Sequence, residues 1–100
     1  MSNQLTLDNL RARRAEILHL AAKYGASNVR VFGSVARGDA TTSSDIDLLV
    51  DFKASASLYE VSGLRQALSE LLHQEVDVVE NHPGLREQFR QRILKDAVLL

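Results

Sequence analysis

The chain has 100 residues, 45% apolar and 25% charged, with thirteen acids against twelve bases and a net charge of -1. That length sets the expectation of one domain, and the apolar fraction excludes a disordered chain. The longest apolar run is four residues, Ala97 to Leu100, so no segment of the sequence reads as a bilayer span, and residues 1–10 lack the pattern of a secretory signal. There are no cysteines, which excludes disulfides, thiol catalysis and thiolate zinc sites and suits a reducing cytoplasm.

The charge is unevenly placed. Residues 1–40 carry net +3, residues 41–80 net -6 and residues 81–100 net +2. A broad basic surface for nucleic acid is not expected from that distribution. The acidic middle reads either as a solvated face or as a site that expects a cation.

In chain order, residues 8–24 are predicted as an amphipathic helix with Leu10, Ile17, Leu18 and Ala21 on one stripe. Thr6 or Asp8 can cap its start, and Gly25 suits a left-handed end. Residues 28–32, Asn-Val-Arg-Val-Phe, alternate as a first strand, and residues 34–38 make a short helical turn ending at Gly38. A polar loop, 39–44, leads to a second strand over 45–52, whose continuous Leu48, Leu49 and Val50 suit cover on both faces. Residues 58–73 are a second long helix with Leu58, Val61, Leu64, Leu68, Leu71 and Leu72 on its apolar stripe, weakened by Gly63 by roughly 1 kcal/mol relative to Ala. Residues 75–79 form a third strand, and residues 85–96 form a last helix through Leu85, Phe89 and Ile93. A short edge strand over 98–100 completes the set. The order implies an α/β (α+β) fold: one small mixed sheet with helices packed on it, the first two strands antiparallel, the second and third parallel.

Asp45 and Asp47 are two apart on a strand, so both point to one face and Ile46 to the other. Asp77 interrupts an apolar strand, where Asp is depleted. If the third strand lies beside the second at matching height, three carboxylates meet and repel by about 1–4 kcal/mol per pair. A raised pKa or a cation relieves that, and hard oxygen donors suit Mg²⁺ or Mn²⁺. Two such ions fit in-line phosphoryl-type transfer. An Asp-x-Asp pair alone is more often structural; three such misfits are harder to explain by stability. Gly33-Ser34 follows a strand and opens a helical turn whose free N–H groups can meet an anion, with Gly33 admitting a phosphate and the Ser34 hydroxyl donating to it. Arg37 suits either a phosphate contact or a cap on the loop through Asp39 or Asp45.

Gly33-Ser34, ten residues, then Asp45-Ile46-Asp47 resembles the G-S-x(10)-D-x-D motif of the polymerase-beta-like nucleotidyltransferases. The fuller runs, Phe-Gly-Ser-Val-Ala-Arg-Gly-Asp from Phe32 and Ser-Asp-Ile-Asp-Leu-Leu-Val-Asp-Phe from Ser44, are similar to the minimal nucleotidyltransferases of bacteria and archaea, over Val29 to Val79. The resemblance implies the polymerase-beta-like core, with Asp45, Asp47 and Asp77 as catalytic metal ligands and Gly33 and Ser34 holding a nucleoside triphosphate. Larger members carry a second domain for the acceptor, so here the acceptor is expected from another molecule. The resemblance implies an antitoxin that transfers AMP from ATP to a tyrosine of a HEPN-domain ribonuclease toxin, with Mg²⁺ or Mn²⁺ as cofactor. A non-catalytic antitoxin that neutralises the toxin by binding is the alternative, and an RNA-tailing enzyme or polymerase is disfavoured by the missing basic patch.

The remaining candidates have plainer readings. Asp39 suits a turn, and Asp51 suits solvent or a basic partner. His19, His73 and His82 show no metal-ligand spacing and suit the surface. Tyr24 and Tyr59 suit packing or an interface, and Phe89 suits the core. Arg11, Arg13 and Arg14 read as a solvated face or as a dock for an acidic partner.

Overall fold

The structure, a computed structural model, describes residues 6–41, 43–82 and 84–100. The expected first helix is two helices, α1 (Leu7–Ala12) and α2 (Arg14–Lys23), broken at Arg13, where φ is -107° and ψ 19°. The Arg13 guanidinium donates to the Leu71 carbonyl at 2.9 Å and pairs with Glu16 at 3.1 Å. Leu10, Ile17 and Ala21, on the stripe the sequence implies, are all buried. Thr6 caps α1 by accepting from the Asn9 N–H at 3.1 Å, as its sequence position suggests.

Gly25, at φ +76°, turns the chain into β1 (Ala26–Phe32), which starts two residues before its expected place. Asn28 takes a left-handed φ of +52° and shifts the register between Ser27 and Arg30. Beyond that bulge Val29 and Val31 face the core, while Arg30 and Phe32 face the other way. α3 (Gly33–Arg37) follows at once and ends at Gly38, φ +85°. β2 (Ile46–Phe52), α4 (Leu58–Leu72) and β3 (Val76–Glu80) come next, then α5 (Glu87–Asp96) and β4 (Val98–Leu99).

The sheet order is β3-β2-β1-β4. β1 runs antiparallel to β2 and to β4, and β2 runs parallel to β3. This is the small mixed sheet with packed helices that the element order implies. Ile46, Leu48, Val50 and Val76 face the main core with Leu64 and Leu68 of α4. Leu49 points to the opposite face and is also fully buried, on the side where α5 packs on β1 and buries Ile93.

α4 begins with a capping box: the Ser57 hydroxyl accepts from the Tyr59 N–H, and Glu60 returns to the Ser57 N–H at 2.7 Å. Gly63 lies against the Tyr24 ring, so its missing side chain is a packing solution and not a flaw. Three expectations fail. Leu58 is 82% exposed, because it is the first residue of α4 and lies beyond the part of the helix that covers the sheet. Phe89 is 43% exposed, since α5 presents a single buried residue, Ile93. Leu85 lies ahead of α5, which starts only at Glu87, and so is not part of its stripe. Of the arginines, Arg11 and Arg14 are exposed, as a solvated face implies, while Arg11 also donates to the Leu99 carbonyl and Arg13 to that of Leu71. Among the described residues no helix is long and apolar enough to cross a membrane.

Candidate active site

Register sets the site. Phe32, the last residue of β1, pairs with Asp47, and Asp47 pairs with Asp77 across the parallel β2–β3 ladder. Paired residues on neighbouring strands share a face. Asp47 and Asp77 therefore stand side by side on the face opposite Ile46, Leu48 and Val50. Asp45 lies one residue ahead of β2 and is exposed. The polar turn before it is fixed by its own hydroxyls: Ser44 Oγ accepts from the Thr41 N–H at 2.9 Å, and the Ser44 carbonyl accepts from Gln74 Nε2 at 2.8 Å.

Gly33 closes the arrangement from the other side. Its φ is +74°, and a Cβ built there would collide with the Asp47 carboxylate. A glycine is needed both for the left-handed turn and for the close approach. Among the described residues no side chain caps the start of α3, so its first N–H groups are left for solvent or a ligand beside that carboxylate.

The electrostatics agree with the geometry. Burial pushes the Asp47 carboxyl above the usual carboxylate range, and the negative charges of Asp77 and Asp45 push it further, while Arg37 pulls the other way. Charge from all three aspartates thus converges on one place. Asp77 is held by Arg65 of α4, with Nη2 3.3 Å from Oδ1, and the same guanidinium donates through Nε to the Val76 carbonyl at 3.2 Å. Among the described residues no three His, Cys, Asp or Glu side chains are placed together so as to hold a metal ion. Asp47 and Asp77 nonetheless stand side by side as hard oxygen donors of the kind a divalent cation takes, and the charge of Asp45 acts on Asp47 as well.

Arg37 lies between two acids, 3.2 Å from Asp39 and 2.9 Å from Asp96, so it straps α3 to the end of α5. Asp39 is accordingly a turn residue paired with Arg37. Asp51 finds its basic partner inside the chain. Asn28 Nδ2 and Asn81 Nδ2 each donate to it at 2.8 Å, and Arg30 lies 3.6 Å away. His19, His73 and His82 are exposed, as expected. Sequence reasoning missed Arg65, Asp96 and the Asn28–Arg30–Asn81 set. Each meets its partner through long-range packing that no local spacing encodes.

A family model described as a nucleotidyltransferase domain matches residues 17–100. Protein adenylyltransferase MntA of Thermococcus cleftensis is 34% identical over 95 residues, covering 94% of this chain and 95% of that protein. A solved structure described as a putative minimal nucleotidyltransferase superposes with a TM-score of 0.83 at 46% identity, covering 96% of this chain and 97% of the other. The same fold is present, at 19% identity and a TM-score of 0.67, in a complex of a tri-AMPylated Shewanella oneidensis HEPN toxin with an MNT antitoxin; the match covers 89% of this chain and 69% of that one.

Proposed function

Since the chain belongs to the nucleotidyltransferase domain family, as one of its minimal members with protein adenylyltransferases among its relatives, we propose that it is an antitoxin enzyme of the cytoplasm that transfers AMP from ATP to a tyrosine hydroxyl of a cognate HEPN ribonuclease toxin and so inactivates it. The observation that carries this reading is the pairing of Asp47 with Asp77 beside the left-handed Gly33. The solved toxin complex supports the choice of partner, and the names of the relatives support adenylyl transfer.

In this reading Gly33 and Ser34 hold the triphosphate, the amides at the start of α3 and the Ser34 hydroxyl donating to its oxygens. The acceptor oxygen attacks the α-phosphorus in line. The bond from that phosphorus to the β-phosphate oxygen breaks, and pyrophosphate leaves. Asp77 takes the hydroxyl proton, and Arg37 lends positive charge to the leaving group. Mg²⁺ or Mn²⁺ would be held by Asp45, Asp47 and Asp77, and would supply neutralisation of the triphosphate and a more acidic acceptor hydroxyl.

Intact-mass measurement of the neighbouring toxin, co-expressed with this chain, is expected to show added AMP units. Labelled ATP is expected to transfer label only with a divalent cation. Full transfer by an Asp45→Asn, Asp47→Asn variant would overturn the mechanism. Stoichiometric toxin neutralisation by a variant lacking all three carboxylates would favour an antitoxin that works by binding alone.

A further inference from the structure

The outer edge of β3 adjoins the candidate site. The Ile46 N–H donates to the Glu75 carbonyl and the Asn81 N–H to the Val50 carbonyl. The backbone groups of the odd residues of β3 therefore face β2, and those of Val76, Val78 and Glu80 face outward. α4 satisfies only the first of these: the Val76 N–H donates to Ser69 Oγ, and its carbonyl accepts from Arg65 Nε. β3 pairs with β2 alone, and among the described residues the outward groups of Val78 and Glu80 have no partner.

We propose that this edge is the acceptor's docking site: a basic, extended segment carrying the acceptor hydroxyl adds to β3 as a further strand at Val78–Glu80. The identity of the acceptor as a nucleotide recipient rests on the reading above; the docking does not. An added strand lies about 4.8 Å from β3, and a side chain opposite Asp77 on the same face comes within about 5 Å of it, beside the Arg65 guanidinium that crosses the edge there to Asp77. That is where a hydroxyl must arrive if Asp77 takes its proton. The next side chain of the segment points to the other face. There a groove of about 390 Å³, lined by Ser62, Arg65, Gln66, Ser69 and Glu75, flanks the same edge. Charge selects the occupant. Glu75, Asp77 and Glu80 outnumber Arg65 along the edge. A second copy of this chain would bring the same acids against themselves, whereas a lysine- or arginine-bearing segment is attracted.

The test uses the full chain and a short synthetic peptide of alternating lysine and valine with one central tyrosine. The peptide is expected to slow amide exchange at Val78 and Glu80 by roughly tenfold. A copy of the peptide with alternate backbone nitrogens methylated is expected to have no effect. Glu80→Pro removes an outward donor without touching the β2 ladder and is expected to raise KM for the peptide about tenfold, with ATP binding unchanged. Glu80→Lys, which keeps the backbone, is expected to weaken the basic peptide in the same direction. Transfer to the peptide with exchange at Val78 and Glu80 unaltered, or wild-type KM in both variants, would overturn the docking site and leave the transfer reading intact. Protection of the edge by the peptide with no AMP added to the co-expressed toxin would do the reverse.

Discussion

The side chain that Gly33 lacks would occupy the space taken by the Asp47 carboxylate. One glycine thus brings the start of α3 onto the acid that the β2–β3 register sets beside Asp77. Gly33→Ala forces a left-handed alanine, costing about 1–2 kcal/mol, and displaces that carboxylate as well. Transfer is expected to fall roughly 100-fold, as for other misplacements of about an ångström. Urea unfolding and a labelled-ATP assay check both effects.

Asp47 carries its own stability cost. Its carboxyl is pushed above the ordinary range, first by burial and then by Asp77 and Asp45. The folded chain therefore binds that proton more tightly than the unfolded chain does. The penalty is absent below the ordinary Asp pKa, grows as pH rises through it, and is complete above the raised folded value. Asp47→Asn is expected to be inactive yet more stable than wild type at pH 7, with the difference vanishing in acid. Thermal melts across that pH range measure it.

Asp51 behaves oppositely. Partial burial would raise its pKa, but hydrogen bonds from Asn28 and Asn81 and the charge of Arg30 outweigh it and hold the carboxyl below the usual range. The stability it supplies is present above the ordinary Asp pKa and is lost as pH falls through the lowered value. Asp51→Asn is expected to cost about 1–2 kcal/mol at neutral pH and to flatten acid unfolding. Transfer chemistry should persist in the folded fraction.

Gly63→Ala should help an isolated helix by about 1 kcal/mol. Here the new Cβ would lie 2.5 Å from Tyr24 Cε1 and 3.0 Å from Cδ1. Overpacking of that kind costs about 1–3 kcal/mol, so a net loss is expected. A double-mutant cycle with Tyr24→Ala should recover much of it, because the two changes share one contact.

Arg37 separates two roles. Asp96→Asn releases the guanidinium from α5, and Arg37→Gln removes its charge. If Arg37 serves the triphosphate, Arg37→Gln raises KM for ATP several-fold and Asp96→Asn leaves it unchanged or lower. Equal effects from both would mark the arginine as a strap alone.

Much of the site is legible from alternation and connection rules. Period two sets Asp47 opposite Ile46, and the helical crossover makes β2 and β3 parallel. What sequence could not supply was the height at which they pair, and the ladder matches Asp47 to Asp77. The break at Arg13 was hidden because the partner of that side chain is a carbonyl at Leu71, in another helix. Phe89 was misread because helical period marks an apolar stripe but not how wide a surface awaits it. Arg65 sits among ordinary polar residues of α4, and only the crossover's geometry delivers it to Asp77.

The alternation along β2 has a consequence for how this protein can change. Ile46, Leu48 and Val50 fill the interior while Asp47 lines the chemistry, so a single inserted residue after Ile46 would send Asp47 and Asp51 inward and Leu48 and Val50 outward. Loops can lengthen in descendants of this chain; this segment can drift only by whole pairs of residues, and any lineage that keeps its hydrophobic packing keeps its carboxylate aimed as well.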